Sequence, residues 1–267
     1  MPDIIRIPRF VDGKIFYNHS ISSALADVYK AEHEPIFMNE LLGIRAINNT
    51  DSLIRHQGYC TPSVSVSGTT KQNTKVVVYA HVPNYFSDPK NIVKAIKEGL
   101  RNGAGKYPQK EFEKLLDMED NQNVFVVDYD KLKNTSSEDI ETRKALYYPQ
   151  IIAFIGGREK AEIYLTQHEK VAGKKIGVCH NFKSEKIPSC SILYVHDISI
   201  YGILRSDQYL NIDGSFVGVP RNIMCTRRIS SPLETLAGKG TEVGNGLVVI
   251  KREDITPSQY QILTRKE

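Results

Sequence analysis

Apolar and polar residues alternate most regularly at Ser63-Val64-Ser65-Val66-Ser67-Gly68. That period of two predicts a half-exposed strand. The β-branched run from Lys75 to His81, with Val76-Val77-Val78-Tyr79 at its centre, predicts a strand inside a sheet. Further strands are predicted at Ile4 to Ile7, Ile15 to Tyr17, Val124 to Val127, Lys175 to Val178, Ser191 to Val195 and Leu247 to Ile250, with a hairpin at Asn211 to Val219 around Asp213-Gly214. Helical spacing appears at Asn91 to Leu100, where Ile92, Val93, Ile96 and Leu100 share a face. Other helices are predicted at Ser23 to Ala31, capped by Ser20 or Ser22, at Gln109 to Met118, and from a Ser136-Ser137-Glu138 cap to Leu146. Short helical turns are predicted at Met38 to Leu42 and Ser52 to His56.

One stretch draws the chemical reading. The apolar run Ile151 to Ile155 meets the pair Gly156-Gly157, a short charged segment follows, and Glu162 opens a second apolar run, Ile163-Tyr164-Leu165. Both runs read as strands. A carboxylate at a strand mouth beside a glycine turn is firmly held and open to substrate. In that geometry Glu159 and Glu162 point to opposite faces. The plainer alternative is a solvated glutamate at a strand start.

The 267 residues are 40% apolar and 25% charged, enough for a packed core. No run of about 18 apolar residues suits a membrane span, and the first ten residues do not form a secretory signal, so a cytoplasmic location is expected. Cys60, Cys179, Cys190 and Cys225 are scattered, which favours free thiols over zinc or a disulfide framework. The histidines show no metal-ligand spacing, so no metal is expected. Gly103-Ala104-Gly105-Lys106 lacks the full phosphate-loop spacing and the Ser or Thr after the lysine. The net charge of +4 is compatible with a nucleic-acid partner without arguing for one.

In order and rough spacing, Tyr17-Asn18-His19-Ser20, Ser52-Leu53-Ile54-Arg55, Val82-Pro83-Asn84-Tyr85-Phe86 and Ala161-Glu162-Ile163-Tyr164-Leu165 resemble the DarT family, toxins that ADP-ribosylate bases of single-stranded DNA using NAD. The resemblance spans roughly residues 15–180. Asn18-His19-Ser20 and Ser87-Asp88-Pro89-Lys90 depart from the family's pattern. It implies an α+β fold with an ADP-ribosyltransferase-like split β-sheet core and flanking helices; the C-terminal third lies outside the resemblance and, from its own strand and turn signals, reads as a strand-rich C-terminal extension. The implied division is a catalytic domain over residues 1–182 and an extension over residues 183–267.

By that resemblance Glu162 stabilises the positive charge that develops on the ribose as nicotinamide leaves. Arg55 grips the NAD pyrophosphate, with Arg45 as the fallback. His19 and Ser20 hold the nicotinamide ribose region, and Tyr85 and Phe86 wall the pocket, although both aromatics also suit a core. Arg221, Arg227 and Arg228, with Lys239, Lys251 and Arg252, make a basic surface for single-stranded DNA. The resemblance also implies a partner that hydrolyses ADP-ribose, acting as antitoxin. Two other readings stay open: a metal-dependent nuclease using Asp128, Asp130 and Glu162, and a non-catalytic nucleic-acid-binding protein.

Overall fold

A computed structural model describes residues 4–6, 13–47, 54–55, 57–119, 121–132, 138–180, 187–197, 202–207, 209–220, 241–242 and 247–249. In chain order the strands are β1 Ile4–Arg6, β2 Lys14–Asn18, β3 His33–Pro35, β4 Tyr59–Thr69, β5 Lys75–Ala80, β6 Gly105–Lys106, β7 Val124–Asp128, β8 Glu138–Glu141, β9 Lys175–Cys179, β10 Ser189–Val195, β11 Leu204–Arg205, β12 Gly214–Pro220, β13 Thr241–Glu242 and β14 Leu247–Val249. The helices are α1 Ile21–Lys30, α2 Met38–Ile47, α3 Pro89–Lys97, α4 Gln109–Leu116, α5 Thr142–Ala145, α6 Pro149–Ile155 and α7 Arg158–Ala172.

Residues 15–218 form one compact unit; residues 1–14 and 219–267 form a second. Among the described residues, the second unit holds an antiparallel sheet in the order β1-β14-β13, with Ile4 opposite Val249. The first unit is built on an eight-stranded sheet in the order β7-β5-β4-β10-β11-β9-β8, with β6 pairing β10 from the side. All its pairs are antiparallel except β11 with β9. Strands from before and after residue 182 therefore share this sheet. A smaller sheet has the order β2-β12-β3. The segment expected as a hairpin around Asp213-Gly214 thus supplies a single strand that pairs outward on both edges.

β4 is buried along nearly its whole length, on both faces. The alternation predicts one solvated face, but helices cover both. Val64 and Val66 join Val76, Val78 and Ala80 of β5 in a core with Ile21, Leu25 and Val28 of α1, Ile92 of α3 and Phe112 and Leu115 of α4. Each such side chain contributes roughly 1.5–3 kcal/mol when fully buried. Gly68 belongs here by size, since a Cβ would stand 2.8 Å from the Phe112 ring.

The serines fill the other face. Ser63 Oγ accepts from Met38 N at 2.8 Å and bonds His81 Nδ1 at 3.0 Å, while His81 Nε2 donates to Ala153 O at 2.9 Å. A carbonyl can only accept, so Nε2 carries the proton and Nδ1 takes the serine proton. One buried relay thereby ties the start of α2, β4, the end of β5 and α6.

Residues 151–155 and 162–165 are helical, which corrects both strand expectations. Pro149 occupies the first turn of α6, Gly156 ends it with φ 99°, and Gly157 opens α7 with φ 109°. The glycine pair breaks one helix and starts another. Ala161, Tyr164, Leu165 and His168 are the buried stripe of α7, at helical spacing. The expected helix up to Leu146 is strand β8 followed by the short α5, and the turn at Met38 grows into the ten-residue α2. The turn expected at 52–56 lies largely outside the described residues.

His81 and His180 are buried, and burial lowers their pKa values to about 4 and about 3. In the unfolded chain both titrate near 6.5. Between pH 6.5 and 4 the unfolded state takes up protons that the folded state refuses, so stability is full above pH 6.5 and falls with pH. For His81 alone the loss reaches about 3 kcal/mol by pH 4. Urea unfolding at pH 7 and pH 4.5 is expected to show this drop, with a shallower pH slope in His81→Gln. An identical slope in the two proteins would remove His81 as its source.

Candidate functional site

The irregular place in β4 leads to the site. Ile192 pairs with Val64 and Tyr194 with Cys60, so one residue of β10 faces three of β4, including Pro62. Proline has no N–H for the ladder and settles at such bulges. The Pro62 carbonyl accepts from Asn84 Nδ2 at 2.8 Å. The same amide donates to Val82 O at 2.9 Å, and Asn84 Oδ1 accepts from Phe86 N at 2.9 Å. Ser87 Oγ accepts from Asn84 N at 3.0 Å, closing a capping box around the turn Tyr85–Ser87. Asn91 Nδ2 then donates to Tyr85 O at 2.8 Å.

This clamp turns Phe86 into the core and leaves Tyr85 half-buried at the wall of a groove of about 450 Å³. Tyr107, edge-on to Tyr85 at 5.6 Å, forms the other aromatic wall. Tyr107 N donates to Pro188 O at 2.9 Å, and its hydroxyl accepts from Tyr85 N at 3.3 Å. Burial pushes the Tyr107 phenol well up, so it stays protonated. The rim carries exposed Lys94, Glu98, Lys106 and Gln109. Lys94 and Glu98 are 3.9 Å apart on successive turns at the end of α3, a solvated pair of little energetic weight. Lys106 is positioned by β6, which pairs with Ser189 and Cys190. Gly105 is required by packing: a Cβ would meet Leu210, Ala95 and Phe86 within 2.9 Å. Gly103, with φ 84°, has no room either, since a Cβ would stand 2.6 Å from the Tyr209 ring, so packing accounts for both glycines of the segment resembling a phosphate loop.

The other predicted residues do not converge on this groove. Glu162 is exposed on α7 and pairs with Arg158 one turn earlier at 3.2 Å. On a helix it shares a side with Glu159 rather than opposing it. Ser20 caps α1, accepting from Ser23 N at 3.1 Å, and His19 is exposed with its ring edge-on to Tyr17. Arg45 is buried at the end of α2 and donates to Ile54 O at 2.9 Å, His196 O at 2.7 Å and Gln57 O at 2.6 Å. It joins backbone segments and presents no free guanidinium. Arg55 is fully buried next to that staple. Arg221, Arg227 and Arg228 lie outside the described residues. Among the described residues, no group of three or more His, Cys, Asp or Glu is placed to hold a metal ion, and no helix is long and apolar enough to cross a membrane.

No family model matches this chain, and no curated protein matches it. A solved structure does, with a TM-score of 0.74 and 40% identity over 79% of this chain and 99% of that one. It is described as accommodation of massive sequence variation in Nanoarchaeota by the C-type lectin fold. The chain belongs to this C-type lectin fold family. The DarT resemblance is thereby corrected, and with it the ADP-ribosyltransferase core, the transferase activity and the toxin reading. The α+β content expected from sequence is consistent with the C-type lectin fold. NAD, single-stranded DNA and an ADP-ribose-hydrolysing antitoxin entered only through that resemblance. Its two clearest motifs have other physical causes here: Val82 to Phe86 leads into a capped turn, and Ala161 to Leu165 is a stretch of helix whose Ala161, Tyr164 and Leu165 are buried.

Of the groove residues, sequence reasoning singled out Tyr85, as a pocket wall, and not Lys94 and Glu98 at the end of α3 or Tyr107 and Gln109 after β6. Lys106 was visible only as the end of a glycine motif.

Asn84→Ala removes the cap and both amide donors, and is expected to lower stability by about 1–2 kcal/mol in chemical unfolding. Asn84→Asp keeps the accepting oxygen but not the donors, so it should recover only part of the loss. Full recovery would show that the bond to Pro62 is dispensable.

Proposed function

We propose that this chain is a non-catalytic recognition protein that binds a polar ligand of saccharide type in the Tyr85–Tyr107 groove. The observation that carries the reading is a rigidly clamped, partly exposed tyrosine beside charged and amide groups in a C-type lectin fold chain. A sugar ring has an apolar C–H face and an edge of hydroxyls. Aromatic walls suit the face. Ammonium groups donate to hydroxyl oxygens, a carboxylate accepts from O–H, and the Gln109 amide does both.

The related structure's accommodation of sequence variation fits this arrangement. Lys94, Glu98, Lys106 and Gln109 stand on the outer sides of elements whose inner sides fill the core. Changing them alters recognition chemistry without opening a cavity, so such substitutions should stay within about 0.5 kcal/mol in stability.

Titration calorimetry against a panel of neutral and anionic oligosaccharides tests the reading. Tyr85→Ala should weaken binding about tenfold, or 1.4 kcal/mol, while Tyr147→Ala, exposed on another part of the unit, should not change it. Absence of binding across the panel, or equal affinity in Tyr85→Ala, would refute the assignment of this groove.

A further inference from the structure

Arg55 is fully buried, and its Nε, Nη1 and Nη2 have no hydrogen-bond partner. A guanidinium carries five N–H donors and a charge that is not titrated away. Burying it alone is among the least favourable arrangements a chain can adopt. Arg45 shows the ordinary solution nearby, with donors directed to three carbonyls.

The surroundings of Arg55 offer no such acceptor among the described residues. The Tyr164 hydroxyl, on the buried stripe of α7, lies beside Arg45, from which it can accept, but has no acceptor for its own proton, and it is within electrostatic reach of both guanidinium groups. His168, one turn further, gives its Nε2 proton to Lys175 O at 2.9 Å. The backbone of Gly202 covers this corner, where an added Cβ would be 3.5 Å from the Tyr164 hydroxyl and 3.2 Å from His168 Nδ1. Asp197 acts electrostatically on Arg45, but no described carboxylate acts on Arg55. Among the described residues, two buried guanidinium groups thus face one carboxylate.

We propose that Arg55 and the Tyr164 hydroxyl form an internal binding site for a small oxyanion, a phosphate or a carboxylate. The planar fork of Arg55 matches two oxygens of such an anion, and the phenol supplies a further donor. The site is separate from the aromatic groove and does not depend on the reading given to it.

The test uses the full chain, exhaustively dialysed into chloride buffer at constant ionic strength. Inorganic phosphate and acetate are added in separate arms, and thermal unfolding is followed. One arm or both should raise Tm by several degrees, growing with the logarithm of anion concentration, and the responding arm identifies the chemistry. Arg55→Met should lose the response. Without added anion it should be at least as stable as the parent, because an unpaired buried charge has gone. If the anion is already held after dialysis, ion chromatography of the denatured parent should release about one per chain, and none from Arg55→Met. An equal response in Arg55→Met would mean an adventitious ion only. No response together with no released anion would overturn the proposal, as would, in a parent that releases no anion, a large loss of stability in Arg55→Met in chloride buffer, which would mean that the protein itself pairs Arg55.

Discussion

The first unit depends on one strand being buried on both of its faces. β4 carries branched apolar residues toward α1, α3 and α4 and small hydroxyl residues toward the other face. The division is chemical as well as geometric. The valine face excludes water and needs only shape. The serine face brings backbone close to backbone, and each buried hydroxyl then has to be answered. Ser63 answers for an orphan N–H at the start of α2 and for His81 together, and Ser67 pairs with Ser189 at 2.9 Å. Leaving such a group unanswered costs about 1–3 kcal/mol, so the pairing is a condition of building a face from serine.

The groove follows from the one place where β4 leaves the ladder. A proline that cannot donate produces a bulge, the bulge frees a carbonyl, and the carbonyl holds Asn84. Asn84 organises the turn that divides two adjacent aromatics, placing Phe86 in the core and Tyr85 at the groove. Tyr85, the residue proposed to recognise the ligand, is thus fixed by backbone hydrogen bonds to a central strand. This gives it rigidity without contributions from the exposed rim.

Much of the sheet was legible in the sequence, because β4, β5, β7, β9 and β10 are marked by β-branched residues between turn signals. The helices α1, α3 and α4 were legible as well, since each has a polar outer side. α6 was not. Its Gln150, Ile151, Ala153, Phe154 and Ile155 are all buried, so the seven-residue helix has no polar stripe to betray its period. That error passed to α7, whose Ala161, Tyr164, Leu165 and His168 do show helical spacing but were read as the continuation of a strand. Both faces of β4 were half legible: the alternation marked a strand, but serine could not reveal that its side was covered. The candidate site was legible only at Tyr85, since Lys94 on α3 meets Lys106 and Tyr107 through the fold and not along the chain.

The two buried arginines show why a motif alone could not assign chemistry. Arg45 and Arg55 lie ten residues apart, and by residue type either could grip an anion. The fold separates them. Arg45 is consumed by three carbonyls, which fixes the approach to β4 and the exit from β10. Arg55 is equally buried and has its guanidinium nitrogens unspent. Residue type alone misled equally at Glu162, whose exposed carboxylate lies 3.2 Å from Arg158 on the outer side of a helix. Function in this chain is therefore to be sought where the fold brings polar groups together, as at the groove rim, or leaves one unanswered, as at Arg55, and not where a residue type recurs in a familiar order.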